Sequence, residues 1–334
     1  MHYRRLGNSN LNVSVLCLGT LMFGDRTDDV EAKRIVANAR EHGINFIDTA
    51  DAYHNGESER VVGRCLSNDR NHWVLATKVG RNMGTLPNQG GYSRSWVFQA
   101  VEDSLARLGT DYIDIYYLHR DFEGTNLEEV VRALGDLIRA GKIRYFGLSN
   151  FTGWRIAQVV SVCKELNVPP PVACQPHYNL LNRVPEVEIL PACHQFGIGV
   201  VPYSPMARGV LSGKYLPGVA PEEGSRGTTD GRFMQTEYRE ESLLIAQRLR
   251  IRADELGVPL GQYATAWVLR NQIISSVIAG PRTLAQWQDS LGAVNLELAV
   301  EDEMLIDSLV HPGHASTPGY TDPSFPVQGR LLQH

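Results

Sequence analysis

The amino-acid sequence predicts an α/β fold: a single (β/α)8 TIM barrel with a short N-terminal β-hairpin and long loops at its C-terminal rim. Eight short runs of β-branched and aromatic residues alternate with amphipathic helical patterns, and an eightfold βα alternation favours a barrel over an open doubly wound sheet. At 334 residues and 43% hydrophobic, the chain has the length and core content of one such barrel, so residues 1–334 are taken as one domain. Successive strand patterns also end on polar residues, as expected where a barrel gathers its chemistry at one rim.

The start, YRRLGNSNLNVS, places turn residues between two β-capable pieces and predicts a hairpin over 1–13 that plugs the bottom of the barrel. Strand patterns follow at 13–19, 44–49, 73–79, 113–119, 143–149, 172–175, 199–204 and 275–280. Helices are expected near 29–42, introduced by Thr27 and Asp28, near 57–67, near 95–108, and near 127–141, closed by Gly141. Residues 80–94 and 213–238 are too long and too rich in Gly and Pro to be ordinary connections, which points to lids or binding loops. The tail, 311–334, is expected to be extended rather than helical.

The 32 basic and 37 acidic residues give a net charge of −5 without a block of either sign, so neither a nucleic-acid footprint nor a polybasic membrane patch is indicated. No apolar run approaches a bilayer span, and the N-terminus lacks the apolar stretch of a signal peptide. The expectation is a cytoplasmic protein acting on a small molecule, with a homo-oligomer compatible with the sequence. Cys17, Cys65, Cys163, Cys174 and Cys193 are odd in number and contain no CxxC pair, which suits reduced thiols rather than a disulfide framework or a zinc site.

Strands two, three and four bring Asp48 with the following Tyr53, then Lys78, then His119. Each alone has an ordinary structural explanation as a cap, a solvated cation or a core residue with a satisfied tip. Together they describe the protonation of a carbonyl. A phenol acts as an acid when a cation stabilises its phenolate, which Lys78 would supply by lowering the Tyr53 pKa. Lys78 keeps its own charge beside a carboxylate, Asp48, and His119 would donate to a carbonyl oxygen or serve as a second proton relay. No GxGxxG follows a strand, so a hydride source would be held by the other strand ends. These carry Ser149, Asn150, Gln175, Tyr203, Ser204, Gly280 and Arg282. Asn150 and Gln175 would satisfy a carboxamide, Tyr203 would stack on a flat ring, and Arg282 would meet a phosphate.

GTLMFG at 19–24, FIDTADAYHNGESERVVG at 46–63, ATKVG at 76–80, LGTDYIDIYYLH at 108–119, GKIRYFGLSNF at 141–151, YSPMARGVLSGKY at 203–215 and AGPRTLAQWQDS at 279–290 closely resemble the aldo-keto reductases. The match runs in order over nearly the whole barrel. The resemblance implies NADPH-dependent reduction of aldehydes or ketones, with Tyr53 as the acid, Lys78 and Asp48 tuning it, and His119 orienting the carbonyl. It assigns Gly19, Thr20, Met22 and Asp48 to cofactor binding, and Ser149, Asn150 and Gln175 to its carboxamide. Tyr203 would stack on the nicotinamide, and Ser204, Pro205, Met206, Gly209 and Lys214 would line the pyrophosphate. Gly280, Arg282 and Gln286 would meet the adenosine phosphate end. Ser290 stands where many relatives have Asn to contact adenine, and no Lys follows strand eight, which leaves Arg282 as the expected contact for the 2′-phosphate.

Two other readings compete. Potassium-channel β subunits share this fold and couple a bound nucleotide to a partner, but all four acid-site residues are present and no long extension precedes the barrel, which favours the enzyme. A metal-dependent hydrolase using Asp48, His54, His119 and His177 lacks any HxH or HExxH pair, so no metal is expected. Met22, Phe23, Tyr92, Trp96 and the tail near Tyr320 are candidates to wall an apolar substrate pocket.

Overall fold

The structure is a computed structural model that describes residues 1–327. The hairpin pairs β1 (Tyr3–Arg5) with β2 (Asn12–Ser14) antiparallel, Tyr3 opposite Ser14. Eight parallel strands follow: β3 (Leu16–Gly19), β4 (Phe46–Asp48), β5 (Val74–Val79), β6 (Ile113–Leu118), β7 (Ile143–Ser149), β8 (Ala173–Gln175), β9 (Gly199–Val200) and β10 (Val277–Ala279). Each neighbours the next, β10 lies beside β3, and the ring is completed by a parallel bridge between Val200 and Ile274 and by Ile278 N–H donating to Pro202 O at 3.0 Å. This is the (β/α)8 barrel that the alternation predicts, with every strand where its sequence pattern placed it.

Strand parity divides the core in two. Cys17, Phe46, Val74, Ala76, Ile115, Tyr117, Ala173, Val201 and Ile278 pack inside the ring, while Leu16, Leu18, Ile47, Leu75, Val79, Ile113, Tyr116 and Leu148 belong to the outer core beneath the helices. Side chains alternate between faces along a strand, so the next inward positions toward the carboxyl ends are Gly19, Asp48, Lys78, His119, Ser149 and Gln175. Counting in twos from the apolar inner layer therefore leads directly to the predicted site. Gly147 lets the inner layer hold Tyr117: a Cβ there would lie 2.5 Å from Tyr117 Cε1 and 2.9 Å from Ala173 O. At the opposite end Leu6 and Val13 of the hairpin join the inner cluster, and Asn8 N–H donates to Gly197 O at 2.7 Å, so the hairpin plugs the amino end.

The helix over Asp29–Glu41 starts where Asp28 accepts from Glu31 N–H, and Arg94–Leu108 starts where Ser93 accepts from Trp96 N–H. Both starts follow from a short polar side chain capping free backbone donors. The 213–238 segment is less irregular than its composition suggests, because it contains two short helices, Arg226–Thr229 and Gly231–Thr236, the second capped by Asp230. Longer helices at Glu240–Glu255, Leu260–Arg270 and Val300–Leu309 complete the outer ring. Among the described residues no helix is long and apolar enough to cross a membrane.

The tail is described through residue 327 and is fastened by residues 316–325, and the remainder of the predicted 311–334 segment lies outside the described residues. Asp322 accepts from Arg232 with both oxygens, Arg239 donates to Thr317 Oγ1 at 2.7 Å, and the Arg239 guanidinium sits 3.8 Å from the Tyr320 ring centre. Phe23, Tyr92 and Trp96, candidates for a substrate wall, are buried in the outer core instead. The five cysteines are free thiols, four of them buried.

Candidate active site

Asp48, Lys78, Tyr53 and His119 come together at the carboxyl rim. Lys78 is fully buried, and its three ammonium protons are all used: it donates to Asp48 Oδ2 at 2.6 Å, to Thr49 O at 2.7 Å and to Tyr53 OH at 3.1 Å. Asp48 Oδ1 accepts from Gln175 Nε2 at 3.0 Å, so both carboxylate oxygens are engaged as a buried charge requires. Because Lys78 fills an acceptor position on the Tyr53 oxygen, the phenol's own proton is directed elsewhere. The His119 ring is edge-on to Tyr53 with centroids 6.0 Å apart, and its buried Nδ1 has no hydrogen-bond partner among the described residues.

Tyr53 is presented by an unusual turn. It begins a 3-10 segment, Tyr53–Gly56, in which His54, Asn55 and Gly56 all have positive φ, at 48°, 53° and 84°. Successive non-glycine residues in this region store strain that the surroundings must hold. His54 Nε2, 2.7 Å from Leu21 O, supplies part of that hold.

The electrostatics refine the sequence reading. Burial lowers the Lys78 pKa, but the charge of Asp48, the nearby Tyr53 oxygen and the hydrogen bonds to both outweigh it and hold the ammonium above its ordinary value. The sequence reading expected Lys78 to depress the Tyr53 phenol, but the phenol is raised instead. Burial raises it, Asp48 adds to the rise, and Lys78 offsets only part. The physical reason is first the burial of the phenol, which disfavours the phenolate, and then the Asp48 charge, which works against the help Lys78 gives. Tyr53 is therefore protonated at neutral pH, the form a proton donor needs. His119 is pushed well below its usual range by burial and by the cations Lys78, Arg81 and Arg120, so it is neutral.

The remaining predicted residues line the same rim, several of them binding each other. Ser149 Oγ donates to Gln175 O at 2.9 Å; Asn150, at φ 59°, donates to His119 O and Ser149 Oγ and accepts from Tyr203 OH at 2.9 Å. Thr20 is buried with its hydroxyl on Asp48 O and Ser58 Oγ, and Gly19 packs against Ile278. Ser204 is left-handed at φ 58°, Pro205 is buried, and Met206 lies over Gly261. Gly209 has φ 114°, and Lys214 is exposed above the Tyr215 ring. A Cβ on Gly280 would meet nothing closer than Gly19 O at 3.8 Å, which leaves an open notch beside exposed Arg282. Gln286 accepts from the Arg282 N–H, and Ser290 Oγ donates to Gln286 O.

Arg226 and Asp51 were not picked out from the sequence, and His177 was named there only for a metal site. Arg226, in the 213–238 insert, is half-buried and pulled below its ordinary pKa by burial and by neighbouring Arg208. Its contacts are Arg208 O at 3.4 Å and Met22 Sδ at 4.0 Å, with no carboxylate among the described residues. His177 stacks on one face of Tyr203, ring centroids 5.2 Å apart, and its Nε2 lies 3.0 Å from Glu237 Oε1. Asp51 is completely buried, with Glu59, Arg107 and Lys78 among the charges around it. The four residues of the hydrolase reading form no common cluster: Asp48 is on Lys78, His119 is edge-on to Tyr53, His54 is on Leu21 O and His177 is beside Glu237. Among the described residues no group of three His, Cys, Asp or Glu side chains is arranged to hold a metal.

A parallel barrel whose rim carries a carboxylate, an ammonium, a phenol and an imidazole in contact defines a site for moving a proton onto a polarised oxygen. The aldo/keto reductase family model matches residues 15–311. A probable voltage-gated potassium channel subunit beta of Arabidopsis thaliana is 37% identical over 89% of this chain and 92% of its own length. An uncharacterized oxidoreductase, YrpG, of Bacillus subtilis is 35% identical over 96% of this chain and 99% of its own length. A putative voltage-gated potassium channel subunit beta of Schizosaccharomyces pombe is 36% identical over 92% of this chain. The chain belongs to the aldo/keto reductase family, a family of oxidoreductases that use nicotinamide cofactors.

Proposed function

We propose that the protein reduces an aldehyde or ketone to the alcohol with NADPH. The observation that carries this reading is the Lys78 ammonium, saturated by Asp48, Thr49 O and Tyr53 OH, which leaves one mobile proton in the cluster, on Tyr53. When bound, NADPH would supply a hydride to the carbonyl carbon. Tyr53 donates its proton to the carbonyl oxygen as negative charge develops there, and Lys78 stabilises the phenolate left behind. Neutral His119 orients the carbonyl without competing as a stronger acid.

The rim suits such a cofactor. His177 covers one face of Tyr203 and leaves the other for a flat nicotinamide ring. Asn150 and Gln175 retain acceptor capacity for a carboxamide beyond the bonds they make to the protein. Arg226 and Lys214 offer cations for the pyrophosphate, and Arg282 beside the Gly280 notch offers one for the 2′-phosphate that distinguishes NADPH from NADH. Tyr53→Phe removes only the proton donor. The expected result is loss of about 100-fold or more in kcat with NADPH affinity preserved, and wild-type turnover in that variant would sink the mechanism.

A second reading rests on the relatives named as potassium channel β subunits: a cofactor-binding regulatory subunit. Under it, NADPH binds tightly, but oxidation with a broad aldehyde panel stops after a single turnover.

A further inference from the structure

The strands β5 and β6 end side by side, and each is followed by an arginine that has no ion-pair partner among the described residues. His119 N–H donates to Val79 O at 2.9 Å, and Gly91 N–H donates to Gly80 O at 2.9 Å. Tyr92 fills the space where a Gly80 side chain would stand, and its hydroxyl both accepts from Arg120 N–H at 3.1 Å and donates to Arg120 O. Residues 79–80 and 119–120 are thereby locked together beside the proton donor, and exposed Arg81 follows directly on them. Arg81 acts electrostatically on both Tyr53 and His119, and Arg120 acts on His119.

Most arginines of this chain sit on carboxylates, but these two do not. Asp121, next to Arg120 in the chain, is committed to Arg155, and Asp322, whose Oδ1 accepts from Ser324 N–H, is committed to Arg232. Arg120 is flanked by the Phe122 and Phe325 rings, 5.2 and 5.5 Å from its guanidinium carbon. It gives one long hydrogen bond to Ser324 O at 3.3 Å, while its Nε is buried without a partner. A guanidinium beside two rings, whose terminal nitrogens give only one long hydrogen bond among the described residues, has donors left for an oxygen acceptor.

We propose, building on the carbonyl-reduction reading, that the substrate carries an anionic group near its carbonyl, bound by Arg81 and Arg120 while the carbonyl oxygen meets Tyr53 and His119. A carboxylate fits the planar fork of Arg120, and a phosphate monoester offers the same anionic oxygens. The test compares kcat/KM for 4-oxobutanoate, its methyl ester, butanal and glyceraldehyde 3-phosphate at low and high salt. The expected result is about tenfold or greater preference for an anionic aldehyde over its neutral counterpart, reduced by salt and reversed in sense by Arg81→Glu. The carboxylate and phosphate arms separate the two sources of the anion. Equal kcat/KM for the acid and its ester, or a preference that survives in the Arg81→Gln/Arg120→Gln variant, overturns the inference and leaves carbonyl reduction standing. Failure of all four aldehydes with NADPH bound overturns both together.

Discussion

Asp51→Asn is expected to stabilise the protein, by an amount that grows with pH. Asp51 is fully buried three residues after Asp48, and neither carboxyl oxygen has a hydrogen-bond partner among the described residues. The charged and titratable groups around it are Glu59, Arg107, Lys78, Tyr92 and Tyr116. Burial and the like charge of Glu59 raise its pKa to about 8, against 3.8 for an unperturbed Asp, while the Ala52 N–H, Arg107 and Lys78 pull down too weakly to cancel this. The folded state therefore keeps a proton that the unfolded chain has lost. A group with a raised folded pKa lends full stability below its unfolded pKa and loses it as pH rises through the folded one, a window here from about pH 4 to about pH 8.

Within that window the loss runs at about 1.4 kcal/mol per pH unit, which makes the ionisable side chain about 4 kcal/mol less favourable than a neutral isostere at pH 7. Asparagine is that isostere. For a chain of this length the unfolding entropy is about 0.7 kcal/mol/K, so about 4 kcal/mol corresponds to roughly 6 °C in Tm. Thermal unfolding of wild type and Asp51→Asn between pH 5 and pH 8.5 reads the effect directly. The reasoning is refuted if the two curves run parallel across that range, or if the Asn variant is the less stable at pH 8.

Further outcomes follow from the same geometry. Lys78→Met leaves Asp48 buried without its cation and should lower stability by about 3–5 kcal/mol in denaturant titrations, most of it recovered in Lys78→Met/Asp48→Leu. Gly147→Ala drives a methyl to 2.5 Å from Tyr117 and close to Ala173 O; a net loss of about 1–3 kcal/mol is expected, the clash outweighing the gain of about 0.4–1 kcal/mol from a less flexible unfolded chain. Arg226→Met should weaken NADPH binding about tenfold by fluorescence titration, with a smaller salt dependence than wild type.

Strand positions were legible because each is an apolar run whose inward parity ends on a polar residue, and this pattern survives without any knowledge of partners. Asp48, Lys78 and His119 could be brought together by counting strands alone. The short helices of the 213–238 insert were not legible: Arg226–Thr229 spans a single turn, too little for periodicity to show. The sign of the Tyr53 shift was hidden for another reason. It depends on how much water reaches the phenol and on how far the Asp48 charge works against Lys78, and both arise from packing between distant segments. Asp51 and Arg226 escaped for the same cause, since an acid in DTADAY and an arginine in EEGSRGTT read as ordinary surface residues until their burial is known.

The rim residues serve the fold and the site at once, which alters how their variants should be interpreted. Asn150 joins three strand ends through His119 O, Ser149 Oγ and Tyr203 OH. Replacing it with Ala would free the hydroxyl that it holds, release the Tyr203 ring from its stack on His177, and remove the positive-φ preference that Asn tolerates at this position. Loss of activity in Asn150→Ala would therefore not isolate a contact to the cofactor. Asn150→Asp keeps the acceptor for Tyr203 OH and removes the two amide donors, so it separates the effects: the Tyr203 position is retained, while the bonds to His119 O and Ser149 Oγ are lost. If cofactor affinity falls in Asn150→Ala and is retained in Asn150→Asp, Asn150 acts by setting Tyr203 in place. An equal fall in both variants identifies the amide donors as what the cofactor site requires.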